Sequence, residues 1–132
     1  MRAERILETC LYVDDLEAAE TFYTTVLGLE FYSKVPGRHV FLRCGDAMFL
    51  LFDPRTTSQS KDTPHGAFGP GHAAFAVAPV DLPGWREQLA RHGVAIESEI
   101  TWPSGDTSLY FRDPAGNCLE LAPPSTWEKA GL

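Results

Sequence analysis

The sequence has few cysteines, no long apolar segment and no excess of positive charge. Its three cysteines, Cys10, Cys44 and Cys118, are odd in number and widely spaced, so they indicate neither a disulfide framework nor a zinc knuckle. No apolar run approaches the length of a membrane-spanning helix, and the N-terminus has charges where a signal peptide would have an apolar core. We therefore expect a cytoplasmic protein that does not bind a membrane.

Acidic residues outnumber basic ones, 18 to 11, which gives the chain a net charge of −7. This balance argues against a nucleic-acid partner, because binding to phosphates needs clustered Lys and Arg. It is compatible with a metal ion or a cationic ligand, as well as with an ordinary solvated surface. The 132 residues, of which 44% are hydrophobic, predict one globular domain.

Two segments of the chain, residues 6–31 and 71–98, repeat one pattern. Each begins with an alternating strand, continues through an Asp-Leu turn into an amphipathic helix, and ends that helix at a glycine. We expect Asp14 or Asp15 to cap the first helix and Asp81 to cap the second, since their carboxylates can accept from the first-turn amides.

Each repeat is followed by a pair of strands, residues 39–54 and 108–124, and a further strand is expected near residues 31–35. The sequence therefore predicts an α+β fold of two β-α-β-β-β modules in a single domain, residues 1–132. Such a module leaves one sheet face uncovered, and two modules related by a pseudo-twofold axis would enclose a cleft between their curved sheets. The predicted segments are module one (about residues 4–54), a connecting loop (55–70) and module two (about 71–124).

Three polar residues interrupt the apolar strand pattern: Glu8, His72 and Glu120. Glu8 opens the first strand of module one and His72 opens that of module two, 64 residues later (72 − 8), so the two positions are related by the repeat. Glu120 is flanked by leucines, where a charge is costly unless it is paired or ligated, and its repeat-related position is Leu50. Singly, such residues are more often a surface glutamate or a loop histidine; together on one predicted face they indicate a metal site.

Two carboxylates and one imidazole form a ligand set that suits Mn²⁺, Fe²⁺, Ni²⁺, Co²⁺ or Zn²⁺. Three protein ligands leave coordination positions open for a substrate, which is typical of catalytic rather than structural metal sites. We therefore predict one divalent metal, bound by Glu8, His72 and Glu120.

Three motifs of the chain resemble the vicinal-oxygen-chelate superfamily, the glyoxalase, bleomycin-resistance and extradiol-dioxygenase group. They are ETCLYVDDLE with FYTTVLGLE (residues 8–30), GHAAFAV (71–77) and SLYFRDPAGNCLEL (108–121). The resemblance covers nearly the whole chain and places the family's ligand positions at Glu8, His72 and Glu120. It also implies a homodimer, in which paired modules often come from different chains and active sites are then shared.

The resemblance implies a metal-dependent lyase, thiol transferase or dioxygenase that chelates two vicinal oxygens of a small substrate. Leu50 cannot supply the fourth ligand of glyoxalase I, and Glu8 stands where dioxygenases and fosfomycin-resistance proteins usually have histidine. Ser104 and Tyr110 match substrate-contacting residues of the fosfomycin group, so we expect them to be catalytic, although Gly105 replaces that group's loop glutamate. The alternative for Tyr110 is an aromatic side chain that only packs. The alternative is a protein of the bleomycin-resistance type, which sequesters a small drug without a metal and without turnover.

Three further residues are candidates for substrate binding: Arg112, His65 and Cys10. Arg112 could hold an anionic group of the substrate, or it could pair with Asp113 or lie on the surface. His65 lies in the connecting loop, where an imidazole can act as a base or simply be exposed to solvent. Cys10 lies on the same strand face as Glu8, because residues two apart in a strand point to the same side.

Overall fold

The computed structural model describes residues 1–128, and the chain divides into two compact units, the first up to Gly69 and the second from Pro70 onward. Each unit has one four-stranded mixed sheet and one longer helix in the order β-α-β-β-β, so the predicted α+β fold of two such modules is confirmed. Over the described residues, no helix combines the length and the apolar character that crossing a membrane requires.

The first unit has a sheet of order β1-β4-β3-β2, in which β1 runs parallel to β4 and the other neighbours are antiparallel. The elements are β1 (Glu8–Tyr12), α1 (Leu16–Thr25), β2 (Glu30–Val35), β3 (His39–Cys44), β4 (Ala47–Phe52) and α2 (Pro54–Thr57). The short helix α2 was not predicted. Its signal is readable in the sequence, because Asp53 accepts a hydrogen bond from the amide of Arg55 at 3.0 Å and Pro54 suits the first helical position.

The second unit repeats this sheet with the order β5-β8-β7-β6, and β5 runs parallel to β8. Its strands and longer helix are β5 (His72–Ala76), α3 (Leu82–Arg91), β6 (Ser98–Thr101), β7 (Thr107–Arg112) and β8 (Cys118–Ala122). A 3₁₀ turn at Pro79–Asp81 precedes α3, and another at Pro124–Trp127 follows β8.

The strand register shows that the two units are internal copies. Glu8 lies opposite Met48, and His72 lies opposite Cys118. The first strand therefore recurs after 64 residues (72 − 8) and the last strand after 70 (118 − 48), which agrees with the offsets read from the sequence. A residue on one sheet consequently has a definite counterpart on the other.

The helices begin in two different ways. Asp15 has an extended backbone and its carboxylate accepts from the amide of Ala18 at 3.0 Å, so the predicted cap of α1 is confirmed. The predicted cap of α3 by Asp81 is wrong. Asp81 ends the 3₁₀ turn with φ −89° and ψ −5°, a helical conformation that does not aim its side chain at the first-turn amides.

Each sheet buries one face against its own helix. In the second unit, the buried side chains Leu109, Phe111, Leu119 and Leu121 alternate along β7 and β8 with residues of the opposite face. Helix α3 contributes buried leucines of its own to this core. The opposite face of the sheet is therefore where polar side chains can approach one another.

Candidate functional site

His72 is held by a main-chain contact at the first residue of β5. Its Nδ1 lies 2.9 Å from the carbonyl oxygen of Cys118, the residue directly opposite it on β8. A carbonyl only accepts hydrogen bonds, so Nδ1 carries the proton. In the neutral ring, Nε2 then presents a lone pair, which is the state in which histidine binds a metal.

Glu120 faces that nitrogen. The distance from His72 Nε2 to Glu120 Oε1 is 3.3 Å, and Glu120 is only 8% exposed. A lone pair and a carboxylate oxygen repel at this distance unless a positive charge lies between them or Nε2 is itself protonated. The donor set, one imidazole nitrogen and one carboxylate oxygen, therefore suits a proton or a divalent metal.

Tyr110 completes a three-residue group on this face. It lies directly opposite Glu120 in the β7–β8 register, and its ring stacks on that of His72 with 6.3 Å between centroids. Burial raises the pKa of Tyr110, and the charge and hydrogen bond of Glu120 raise it further. The phenol therefore stays protonated at neutral pH and can donate a hydrogen bond.

These three side chains are among those that line a pocket of about 410 Å³, a size suited to a small molecule. Trp102 and Trp127 line it as well, and Trp127 is 89% exposed. Ala74 and Ala122, which also line the pocket, leave its space open because their side chains are small. The pocket thus combines polar side chains with aromatic and aliphatic surface within the second unit.

Ser108 and Trp102 form a contact that the sequence did not predict. The indole Nε1 of Trp102 donates to the hydroxyl of Ser108 at 2.8 Å, and Ser108 is 0% exposed. Ser108 lies two residues before Tyr110 and so on the same face of β7. This spacing was the only signal in the sequence, because the pairing of Trp102 with Ser108 depends on how the hairpin folds back.

Two predicted site residues are engaged elsewhere. The Ser104 hydroxyl donates to the carboxylate of Asp106 at 3.0 Å and accepts from the Asp106 amide at 3.3 Å, which stabilises the turn between β6 and β7. Arg112 is exposed and pairs with Glu97 through two hydrogen bonds of 2.6 and 3.1 Å. Of the alternatives considered for Arg112, a surface ion pair is therefore found, with Glu97 rather than Asp113.

The remaining predicted residues belong to the first unit. Glu8 is exposed at the start of β1, and Cys10 is half-buried on the same face. The Nδ1 of His65 lies 2.7 Å from the hydroxyl of Tyr12, and its ring meets the edge of Phe52 at a centroid distance of 4.7 Å. His65 is therefore a partner of an aromatic cluster rather than a free loop residue.

Of the three predicted metal ligands, the structure brings His72 and Glu120 into contact. Within residues 1–128, no group of three or more His, Cys, Asp or Glu side chains is arranged to hold a metal ion. Glu8 belongs to the first unit, and its role as the third ligand stays a prediction.

A family model and a crystal structure of a similar protein match this chain over most of its length. Residues 5–121 match the family model described as the glyoxalase/bleomycin resistance protein/dioxygenase superfamily. A crystal structure of lactoylglutathione lyase from Agrobacterium tumefaciens is 40% identical, with a TM-score of 0.93, and the match covers 98% of this chain and 100% of that one.

More distant structures share the same fold. A glyoxalase/bleomycin resistance protein/dioxygenase from Nocardioides is 27% identical, with a TM-score of 0.75 over 93% of this chain and 85% of that one. An integron cassette protein from the mobile metagenome of V. cholerae is 26% identical, with a TM-score of 0.75 over 95% and 98%. None of the curated proteins matches the chain.

Proposed function

Because the chain belongs to the glyoxalase/bleomycin resistance protein/dioxygenase superfamily, we propose that it is a metal-dependent enzyme acting on a small oxygenated substrate. One observation carries the proposal: the imidazole of His72, with its tautomer fixed by a main-chain carbonyl, faces the buried carboxylate of Glu120 inside a pocket. The cofactor is one divalent metal, Mn²⁺, Fe²⁺, Ni²⁺, Co²⁺ or Zn²⁺.

The ligands in this proposal are His72, Glu120 and Glu8. The 3.3 Å between His72 Nε2 and Glu120 Oε1 supports this assignment, because two ligand atoms of one cation can have that separation. We assign Glu8 as the third ligand because it is the repeat-related counterpart of His72 and because its exposed carboxylate is accessible to an ion. The partner that supplies Glu8 is either the same chain or the second chain of a homodimer.

The metal would supply Lewis-acid polarisation of two neighbouring oxygens of the substrate. Residues of the chain would donate hydrogen bonds to the substrate and exclude water from it. Tyr110 holds a proton next to Glu120 and donates it as a hydrogen bond to a substrate oxygen on which negative charge develops. Trp102 and the pocket alanines exclude water around the apolar part of the substrate. Ser104 is a weaker catalytic candidate, since its hydroxyl is already bonded to Asp106.

The identity of the reaction is the open part of the proposal, between a lyase, a thiol transferase and a dioxygenase. The similar Agrobacterium protein is a lactoylglutathione lyase, which makes lactoylglutathione the first compound to test. Against that reaction stands Leu50, an apolar and buried residue at the place of the fourth ligand of glyoxalase I. The assay therefore includes a catechol, and an epoxide with a free thiol, beside lactoylglutathione.

Metal titration is the deciding experiment. Metal-free protein is titrated calorimetrically with Mn²⁺, Ni²⁺ and Zn²⁺, and we expect about one ion bound per chain and a higher melting temperature. The loaded protein is then assayed with the three substrate classes. His72→Ala should lose far more affinity than His65→Ala, the matched control, because His65 is bonded to Tyr12.

Binding of none of these metals, by heat or by thermal shift, would overturn the enzyme proposal. The acidic charge of the chain and the two tryptophans at the pocket would then favour the second function, sequestration of a cationic drug. Titration of the metal-free protein with an aromatic cation, followed through tryptophan fluorescence, tests that function directly.

We also propose that the protein is a homodimer with shared metal sites. Glu8→Ala and Glu120→Ala chains, mixed after mild unfolding and refolded together, would then complement each other, because one of the two sites in a mixed dimer regains all three ligands. Random re-pairing predicts recovery of about a quarter of the wild-type metal. No recovery, in a protein shown by light scattering to be dimeric, would refute the shared site and leave a site within one chain.

A further inference from the structure

The 3₁₀ turn at Pro124–Trp127 belongs to the lining of the pocket in the second unit. It follows closely on β8, whose last residue, Ala122, lines the pocket as well. The main chain of the turn is held in place, because the amide of Thr126 donates to the carbonyl of Pro123 at 3.0 Å and two consecutive prolines restrict the backbone before it. Thr126 and Trp127 both line the pocket, so this turn carries two of its side chains.

Thr126 has a hydroxyl group without a partner. Within residues 1–128, its Oγ1 is buried and forms no hydrogen bond. The fully buried Thr57 shows the usual arrangement, since its hydroxyl donates to the carbonyl of Asp53 at 3.3 Å. A buried hydroxyl that has lost its hydrogen bonds to water and gained none from the protein destabilises the fold. A ligand that accepts from Thr126 would remove this deficit.

Trp127 supplies an apolar surface next to that hydroxyl in the chain. Its side chain is 89% exposed, which needs no explanation by itself. It lines the pocket, however, together with Trp102, whose indole is held by a 2.8 Å hydrogen bond to Ser108. Flat rings in such a pocket can pack against the indoles by offset stacking or edge to face. The indoles and the hydroxyl together suit a ligand that has an aromatic ring and a hydrogen-bond acceptor.

We propose that Thr126 and Trp127 bind an aromatic ligand, with Trp127 packed on its ring and the Thr126 hydroxyl donating to an acceptor atom that the ring carries. Because Thr126 lines the pocket, a change of its side-chain rotamer can turn the hydroxyl toward the ligand, and no hydrogen bond of that hydroxyl within residues 1–128 opposes the change. Both residues lie beyond the last sequence motif, residues 108–121. That this ligand is the substrate rests on the proposed function.

The test uses acetophenone, an aromatic ketone, and metal-free full-length protein, so that binding does not depend on a metal. It is followed by NMR through the indole N–H signals. The Trp127 signal should shift, while that of Trp85, which lies outside the pocket lining, stays in place. Cyclohexyl methyl ketone keeps the carbonyl but lacks the aromatic ring, and it should bind about fivefold more weakly. Trp127→Ala should lower the affinity for acetophenone about tenfold, because apolar contact area is lost as well.

Thr126→Val tests the hydroxyl, because valine has nearly the same shape as threonine. We expect the affinity for acetophenone to fall about fivefold, the size of one lost hydrogen bond. The midpoint of urea denaturation should rise, because an unsatisfied buried group is removed. Thr57→Val is the matched control. It removes a buried hydroxyl that has a partner and lies outside the pocket lining, so it should lower the midpoint and leave the affinity unchanged.

The outcomes separate this inference from the proposed function. The inference is overturned, whatever the metal titration shows, if acetophenone does not bind, leaves the Trp127 signal in place, or binds equally well to Trp127→Ala. A urea midpoint that falls in Thr126→Val as it does in Thr57→Val, or an affinity that this change leaves intact, overturns the role of the hydroxyl. A Trp127 signal that moves with protein concentration and not with the probe means that a second copy of the chain covers the tryptophan, which also overturns the inference.

Failure of the proposed function looks different. Protein that binds acetophenone through both residues but binds no metal keeps the ligand contacts and loses the enzyme. The contacts then belong to a protein that sequesters an aromatic compound. Trp127→Ala carries the test if Thr126→Val does not fold, because Trp127 is exposed.

Discussion

The two sheets share one strand register but present different chemistry on their free faces. In the second unit Tyr110 of β7 pairs with Glu120, and in the first unit Phe41 of β3 pairs with Leu50, so Tyr110 is the counterpart of Phe41. Two residues earlier on the same strands, Ser108 is the counterpart of His39. In the first unit His39 and Phe41 stack on each other, with ring centroids 3.8 Å apart, and fill the face. The repeat therefore fixes where side chains lie, and their size and polarity decide what each face does.

The pocket forms in the second unit because the side chains on the free face of its sheet are smaller than their counterparts in the first unit. Ala74, Ala76 and Ala122 of the second unit correspond to Cys10, Tyr12 and Phe52 of the first. The rings of Tyr12, His65 and Phe41 pack against Phe52. Its counterpart in the second unit, Ala122, lines the pocket instead. Along this face the second unit has small residues where the first has large ones, and it has His72 and Glu120 at the positions of Glu8 and Leu50.

The largest expected effect is on metal affinity, when Glu120 is replaced by the apolar residue found at the same place in the first unit. Glu120→Leu gives the second face the residue type of its counterpart Leu50, and we expect metal affinity to fall about 100-fold or more, a loss of about 2.7 kcal/mol. The free energy of unfolding should change little, because the carboxylate is replaced by an apolar residue of similar size and because His72 and Tyr110, which lose it as a partner, both keep access to solvent. Calorimetric titration and urea denaturation measure the two quantities.

Glu99→Leu is the matched control for this change. Glu99 is exposed, pairs with Arg86 and lies on the other face of its sheet. Metal affinity that falls equally in both variants would mean that Glu120 is not a ligand and that the two faces do not differ in the way described.

The turns before the last strands also differ, and the next prediction concerns them. Asn117 is 1% exposed, donates to Asp113 at 2.9 Å and accepts from the amide of Gly71, the residue before His72, at 2.7 Å. Asn117→Ala should lower the free energy of unfolding by about 2 kcal/mol, because it leaves buried polar groups unsatisfied. In the first unit the turn is two residues long and exposed, so Asp46→Ala should cost little. Similar losses in urea denaturation would contradict this contrast.

Filling the pocket with a larger side chain should weaken the binding of an apolar ligand without changing metal affinity. Ala122→Phe places the side chain of the counterpart Phe52 into the pocket, and we expect the affinity for an apolar fluorescent dye such as Nile red to fall about tenfold, as 1.4 kcal/mol of lost contact would predict. Metal affinity should stay unchanged. Ala76→Phe is the control, since Ala76 lies on the same face but outside the pocket lining. Dye binding that survives Ala122→Phe would place the pocket elsewhere.

The smallest expected effect is on how the free energy of unfolding depends on pH, and it involves Asp53 of the first unit. The pKa of Asp53 is lowered, mainly by its hydrogen bonds with the Arg55 side chain. A group whose folded pKa is lowered stabilises the protein fully above its ordinary pKa, and this contribution is lost as pH falls below that value through the folded pKa. Asp53→Asn keeps the capping acceptor but should remove this part of the acid sensitivity, worth under about 1 kcal/mol. Unfolding free energies between pH 6 and pH 2 compare the two proteins, and curves that stay parallel would contradict the assignment.

Much of the fold could be predicted from the sequence because the repeat carries it. The offset between Glu8 and His72 predicted that these residues open equivalent strands, and Asp15 was one of the two caps predicted for the start of α1. Alternation along the first strand predicted that Glu8 and Cys10 share a face. These are local or periodic features, and a single sequence contains them.

The contacts that cross between elements could not be predicted in the same way. Arg112 was considered a partner of Asp113, but adjacent strand residues point to opposite faces, and the arginine instead reaches Glu97 beside the edge strand. The bond from Trp102 to Ser108 depends on the turn between β6 and β7 and on one side-chain rotamer. Asp81 failed as a cap because a proline-initiated 3₁₀ turn had already set its backbone.

The contact that fixes His72 has a consequence for mutational scanning. Its acceptor is the main-chain carbonyl of Cys118, an atom that every residue type at position 118 retains. A saturation library at this position would therefore report tolerance to many side chains while the histidine remains oriented throughout. Only a change to the backbone itself, such as an ester in place of the following amide to weaken that carbonyl as an acceptor, would reveal how much the orientation of the ring depends on it.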